Sequence, residues 1–161
     1  MDPTPDELAG VVDLFGALTR AELRRGLAEL AYKRGGSHDP DHFADDVEST
    51  LRSYHLVAVD SAGADTSVPV VVVGPVAFPA LPGGAEDLPH ILDAPLRDPD
   101  HDAVAAAAVD RFRRDAATAI DTGDHSRVES LLDVSYELEA WAGAGVDLSA
   151  TRSRMDDELD R

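Results

Sequence analysis

The segment DPDHFADDVESTLRSYHLVAVDSAGADTSVPVVVV, residues 39–73, changes its hydrophobic period part-way along, and that change decides the fold. Phe43, Val47, Leu51 and Tyr54 recur at helical spacing and predict a helix with one buried stripe. From His55 the pattern turns strand-like. His55 to Asp60 is a short β-rich run, Ser61 to Ser67 a small polar turn, and Val68 to Val73 a second β run. The two runs predict an antiparallel hairpin with a long loop. Pro69, near the start of the second run, suits an edge strand, because proline cannot donate to a ladder. At the helix start, Asp39 is expected to cap free amides. Pro40 suits the first helical position, and Asp41 favours the positive end of the dipole.

Two helices precede this segment. Leu8, Val11, Val12 and Phe15 repeat at i, i+3, i+4, i+7, and Gly16 lies near the end of that stripe. Thr19 then opens T-R-A-E, a capping box with Glu22. Leu23, Leu27, Leu30 and Ala31 carry the second stripe, Glu29 and Lys33 are spaced for an i, i+4 ion pair, and Gly35-Gly36 stops the helix. Three helices followed by two strands is the element order of a winged helix.

After the strands, residues 74–99 read GPVAFPALPGGAEDLPHILDAPLRDP. A plain linker would not carry Phe78, Leu81, Leu88, Ile91 and Leu92. The segment is expected to be an ordered strap lying against the core, with one helical turn at Leu88 to Leu92. The C-terminal third is helical. Ala105, Val109, Phe112, Ala116 and Ile120 mark a long fourth helix, opened by a second D-P-D-H string at Asp98 to His101. Shared capping chemistry accounts for the repetition of that string. Thr122-Gly123-Asp124 turns the chain. Val128, Leu131, Leu132, Ser135, Leu138 and Ala142 mark a fifth helix, ended by Gly143 and Gly145. A short last helix starts at Asp147 or Ser149 and turns Met155 and Leu159 inward, while Tyr136 and Trp141 are expected to pack in the core or the helical hairpin. The fold class is therefore mainly α with a small β-hairpin (α+β). A winged-helix-like part spans 1–73, an ordered Pro-rich strap 74–99, and a helical hairpin plus short helix 100–161, packed as one domain with the first.

Composition points to an environment. The chain has 32 carboxylates against 14 bases; Lys33 is the only lysine, and there is no Cys, Asn or Gln. The net charge of −18 is spread evenly, at −5 over residues 1–55, −6 over 56–100 and −7 over 101–161. Such self-repulsion is tolerable in molar salt, where the Debye length is about 3 Å, and costly in dilute buffer. The chain therefore reads as a halophilic protein. Without cysteine it can form no disulfide and no thiolate. The opening MDPTPDEL has no basic patch before an apolar run, so no signal peptide is expected. The most apolar stretch, Val68 to Pro82, is broken by Pro69, Pro75 and Pro79, so no membrane span is expected and the cytoplasm is the default location.

Against that background one stretch is basic. Arg20, Arg24, Arg25, Lys33 and Arg34 give residues 20–34 a local charge of +3 and are the candidate partner-binding residues. The bland alternative is that they pair with Glu22, Glu29 and the Asp-rich third helix. That third helix turns Asp41, Asp45, Asp46 and Glu48 outward with Arg52 as its one arginine, which disfavours DNA phosphates. His38, Asp39, Asp41 and His42 resemble a metal set, but Pro40 starts the helix between the two histidines, so no metal is expected. Asp98, Asp100 and Asp102 imitate a calcium loop that then needs glycine and glutamate where Ala103 and Val109 stand. Glu86, Asp87, His90 and Asp93 could do acid–base work, but no second half of a site accompanies them. No nucleotide-binding loop or nucleophile elbow is present, and no cofactor is expected.

Two strings, LFGALTRAELRRGLAELAYKRG at Leu14 to Gly35 and VVVVGPVAFPALPGGAEDLPHILD at Val70 to Asp93, resemble a family of small acidic haloarchaeal proteins of unknown function. The resemblance runs over most of the chain. It implies the salt-adapted setting and brings no activity, ligand or catalytic residue with it.

The sequence thus favours a non-enzymatic protein-interaction or adaptor module with a protein partner and leaves the oligomeric state open. A winged-helix DNA-binding transcriptional regulator and a small enzyme built on His90 are the alternatives.

Overall fold

A computed structural model describes residues 2–36, 38–60 and 68–161. The chain divides into two units, Met1–Val104 and Ala105–Arg161. Among the described residues the fold is mainly helical with one small antiparallel sheet, the α+β class expected from the pattern.

In the first unit α1 spans Pro5–Phe15 and buries Leu8, Val11, Val12 and Phe15, the stripe read from spacing. Thr4 and Glu7 form a capping box at its start, which the sequence reading had not singled out. Helix α2, Arg20–Lys33, is capped as expected. Glu22 N donates to Thr19 Oγ1 at 3.1 Å, and Thr19 N donates to Glu22 Oε1 at 2.8 Å. Replacing Thr19 by Ala removes one acceptor from the helix start and is expected to cost about 1 kcal/mol in urea denaturation. A loss under a few tenths would mean that other contacts hold the helix start.

The third helix differs from its reading at the start. Pro40–Phe43 is a 3₁₀ turn, and α3 proper spans Ala44–Arg52. Asp39 makes no side-chain cap; its carbonyl instead accepts from His42 N at 2.9 Å, as the tighter turn requires. The second D-P-D-H string behaves differently. There Asp100 Oδ1 accepts from Asp102 N at 3.2 Å, ahead of the long helix at His101. The two strings therefore do not share one capping geometry.

The sheet has three strands: β1, Leu18–Thr19; β2, Leu56–Val59; and β3, Val70–Val73. The hairpin pairing of β2 with β3 is present, with Leu56 opposite Val73 and Val59 opposite Val70. The polar turn read at Ser61 to Ser67 lies outside the described residues. The edge assignment of the second run is corrected, because the order is β1-β3-β2 and β3 is central. Leu18 and Thr19 pair with Val71 and Val70. Two residues carry too little pattern to announce a strand, and Thr19 is also the α2 cap. Pro69 sits just before β3, so it interrupts no ladder bond.

One core joins α1, α2, α3, the sheet and the strap, including Phe15, Leu27, Phe43, Leu51, Val71 and Leu88. The strap is held less by its apolar side chains than its composition suggests. Leu88 and Leu92 are buried, but Phe78 is 80% exposed and Leu81 and Ile91 are about half exposed. Hydrogen bonds donated by its backbone amides do the rest. Ala80 N donates to Asp6 O at 2.9 Å, Phe78 N to Asp6 Oδ1 at 3.0 Å, and Arg97 N to Phe15 O at 2.7 Å. The one-turn helix α4, Leu88–Ile91, is where the spacing placed it.

The second unit begins within α5 (His101–Thr122), at Ala105, and α5 and α6 (His125–Ala142) form the expected helical hairpin. Gly123, at φ +66°, makes the turn, and Arg127 on α6 reaches Asp115 on α5 at 3.5 Å. Helix α7 spans Ser149–Leu159 and buries Met155, with Leu159 half-buried. Tyr136 is 60% exposed and not a core residue. The Arg152 guanidinium lies over its ring, 4.6 Å from the centroid, and bonds Glu139 at 2.8 Å. The hydrogen bonds from Arg152 and Leu148 N hold the Glu139 carboxyl below its ordinary range. Trp141 is half-buried.

Candidate interaction surface

Helix α2 buries Leu23, Leu27 and Leu30 and turns a second stripe outward: Arg25, Ala28, Glu29 and Tyr32, again at i, i+3, i+4, i+7. This outward stripe lines an open cleft of about 560 Å³. His38 and Pro40, from the segment leading into α3, contribute to its lining, as do Ile91, Leu92 and Asp93 from α4 and the chain after it. Tyr32 is 73% exposed and Ile91 48% exposed. The His38 and His42 rings stack at 4.1 Å, and both meet Phe43 edge-on, which seats this wall against a core aromatic.

The five candidate basic residues lie in different surroundings. Arg20 Nε bonds Glu48 Oε1 on α3 at 2.7 Å. Lys33 Nζ reaches Asp87 Oδ2 and Gly84 O on the strap, both at 3.3 Å, and Arg34 donates to Gly83 O at 3.4 Å. Arg24 is half-buried, and its Nε has no hydrogen-bond partner among the described residues. Arg25 is exposed in the cleft and forms no ion pair with any described residue. The i, i+4 pair expected between Glu29 and Lys33 is not made. Lys33 is drawn to the strap, where Asp87 and a carbonyl offer it two acceptors, and Glu29 stands in the cleft with no ion pair to a described residue.

Tyr32 was missed by sequence reasoning. The available signal was its place outside the buried leucine stripe, in register with Arg25 and Glu29. Arg97 was missed as well. It joins Glu22 in a buried, two-pronged ion pair, Nη1 to Oε1 at 2.6 Å and Nη2 to Oε2 at 3.2 Å, and Nη1 also donates to Ala17 O at 3.1 Å. Burial alone would raise the Glu22 pKa, but the Arg97 hydrogen bond, the Thr19 amide and the Arg97 charge together hold it below the ordinary carboxylate value.

His90 is exposed on α4, while the cleft takes its lining from Ile91, Leu92 and Asp93; Asp87 is engaged by Lys33 and Glu86 is exposed. On α3, Asp45, Glu48 and Arg52 are exposed and Asp46 half-buried. Among the described residues, no group of three or more His, Cys, Asp or Glu side chains is placed to hold a metal ion, and no helix is long and apolar enough to cross a membrane.

A family model described as "Family of unknown function (DUF7109)" matches residues 6–160. No curated protein and no protein of solved structure matches the chain.

Proposed function

The chain belongs to the DUF7109 family, which brings no activity to transfer, and from its own geometry we propose that it is a non-enzymatic protein-interaction module whose contact surface is the open face of α2. The observation that carries this reading is the α2 cleft, where an exposed aromatic, an exposed aliphatic residue and an arginine with no ion pair among the described residues come together. Aromatic and arginine side chains at a partly apolar surface are the residues that anchor protein partners.

The arrangement of the first unit favours a winged helix turned to this use. Its order α1-β1-α2-α3-β2-β3, with sheet order β1-β3-β2, supports that reading. In such a fold α3 would face a DNA groove. Its exposed Asp45, with Asp41 just before it, opposes phosphate and favours a protein partner over nucleic acid. The even acidity supports a halophilic, cytoplasmic setting, in which specific contact must survive strong screening.

Affinity capture with the tagged full-length chain from a lysate in molar salt is expected to recover a stoichiometric protein partner. Arg25→Glu should lose it, and Arg113→Glu on α5 should keep it. Recovery of nothing by the wild-type chain would sink the module reading. Equal recovery by Arg25→Glu would remove α2 as the contact surface, and salt-resistant retention on duplex DNA would favour the regulator instead.

A further inference from the structure

We propose that the cleft between α2 and α4 receives an arginine side chain from a partner protein, with Tyr32 as its stacking face and Glu29 and Asp93 as its carboxylate partners. This rests on the reading of the open α2 face as an interaction surface.

The charge left in the cleft selects a cation. Glu29 and Asp93 are exposed carboxylates without ion-pair partners among the described residues, against the single guanidinium of Arg25. An internal base was available to Glu29 one turn on, but Lys33 is committed to Asp87 and Gly84 O. The apolar lining of Ile91 and Leu92 suits the aliphatic stem of a long basic side chain, which buries its methylenes and keeps its head at the polar rim.

The second unit holds a filled pair of the same two side-chain types, at the same spacing but in the opposite order along its helix. On α6, Tyr136 and Glu139 are three residues apart, and between them lies Arg152, its guanidinium 4.6 Å from the ring centroid and 2.8 Å from the carboxylate. On α2 the carboxylate comes first, Glu29 three residues before Tyr32; both are exposed, and among the described residues no guanidinium lies over Tyr32. Residues at this spacing share one helix face, so both pairs present a ring and a carboxylate to the same side. The site selects arginine over lysine. A planar guanidinium can stack on the ring and bond a carboxylate bidentately, while an ammonium relies on point charge, which salt screens.

The test uses the full-length chain with labelled isoleucine methyls. The chain has two isoleucines, Ile91 in the cleft and Ile120 on α5, so one spectrum carries both reporter and control. The probe is a blocked tetrapeptide with one arginine beside a leucine, and its comparator carries neutral citrulline in place of arginine. The arginine peptide should move the Ile91 signal saturably and leave Ile120 in place, with citrulline weakening binding about tenfold through loss of the charge-assisted bonds. Glu29→Gln should weaken it by a similar factor, and Tyr32→Ala about fivefold. An Ile91 signal that ignores the arginine peptide, or answers citrulline equally, overturns the proposal. So does equal binding of free L-arginine amide, which would make this a small-molecule site, or movement of Ile91 on simple dilution, which would assign the cleft to a second copy. Failure of the peptide with partner capture intact would remove the arginine and leave the interaction surface standing.

Discussion

Replacing Glu22 by Ala is expected to lower the unfolding free energy by about 3–5 kcal/mol, because it leaves the Arg97 guanidinium buried without its counter-charge. The two side chains are only 11% and 8% exposed. Glu22 also accepts from Thr19 N, so the same substitution undoes half of the α2 capping box. Arg97 ties the strap back through its own amide to Phe15 O, so loss of the pair loosens the strap against the end of α1. Arg97→Ala should cost a similar amount. Replacing both residues with methionine should recover much of the loss, since an apolar pair carries no desolvation penalty. The sign with pH follows from the depressed Glu22 pKa. The pair's contribution is complete above the unfolded carboxylate value of about 4.3 and is lost as pH falls through the lower folded value. Urea denaturation followed by circular dichroism should therefore show stability falling in acid for the wild-type chain. Glu22→Gln should start lower and lack that part of the acid dependence. A loss under about 1 kcal/mol for Glu22→Ala at neutral pH would mean that water reaches the pair and screens it.

Gly10→Ala is expected to destabilise by about 2–3 kcal/mol, although Gly10 lies in the interior of α1, where alanine by itself favours the helix by about 1 kcal/mol. A methyl group there would be driven into the carbonyl oxygen of Ala80, with Leu81 N also within 3.1 Å. The strap cannot yield cheaply. Ala80 N and Phe78 N both bond Asp6 one turn earlier on the same helix. Gly26→Ala is the matching control. It too lies inside a helix, but its methyl would meet Leu92 Cδ2 at 3.5 Å, an ordinary contact. It should stabilise by up to about 1 kcal/mol. Opposite signs for the two substitutions in thermal or urea unfolding are the expected result. If both stabilise, the strap does not press on α1 as described.

These two sites show where the sequence is legible. The buried stripes of α1, α2 and α3 could be read because spacing along one helix is local information: Leu8, Val11, Val12 and Phe15 share a face whatever they pack against. The Thr19–Glu22 box is equally local, since both partners lie within one turn. Arg97 and Glu22 are separated by 75 residues, and nothing along the chain marks one as the partner of the other. The same limit hid β1, whose pairing depends on residues some fifty positions away. It also misdirected Lys33, which had a good local partner in Glu29 and took a distant one in Asp87. The interaction surface divides the same way. Arg25 stood out from the acidic background, but the cleft around it is assembled from α2, the segment at residues 38–40 and the strap.

The sequence by itself determined the helical stripes, the Thr19–Glu22 cap, the change to strand period after Tyr54, and an evenly spread acidity. Each of these follows from neighbours within one or two turns, or from composition. Only the tertiary structure decided which charges are consumed and which remain. It buried Glu22 with Arg97, engaged Arg20 and Lys33, and left Arg25, Glu29 and Asp93 around Tyr32 without ion-pair partners among the described residues. The physical reason is that an ion pair forms with whichever opposite charge the packed backbone brings within reach, and that distance is set by the fold rather than by separation along the chain.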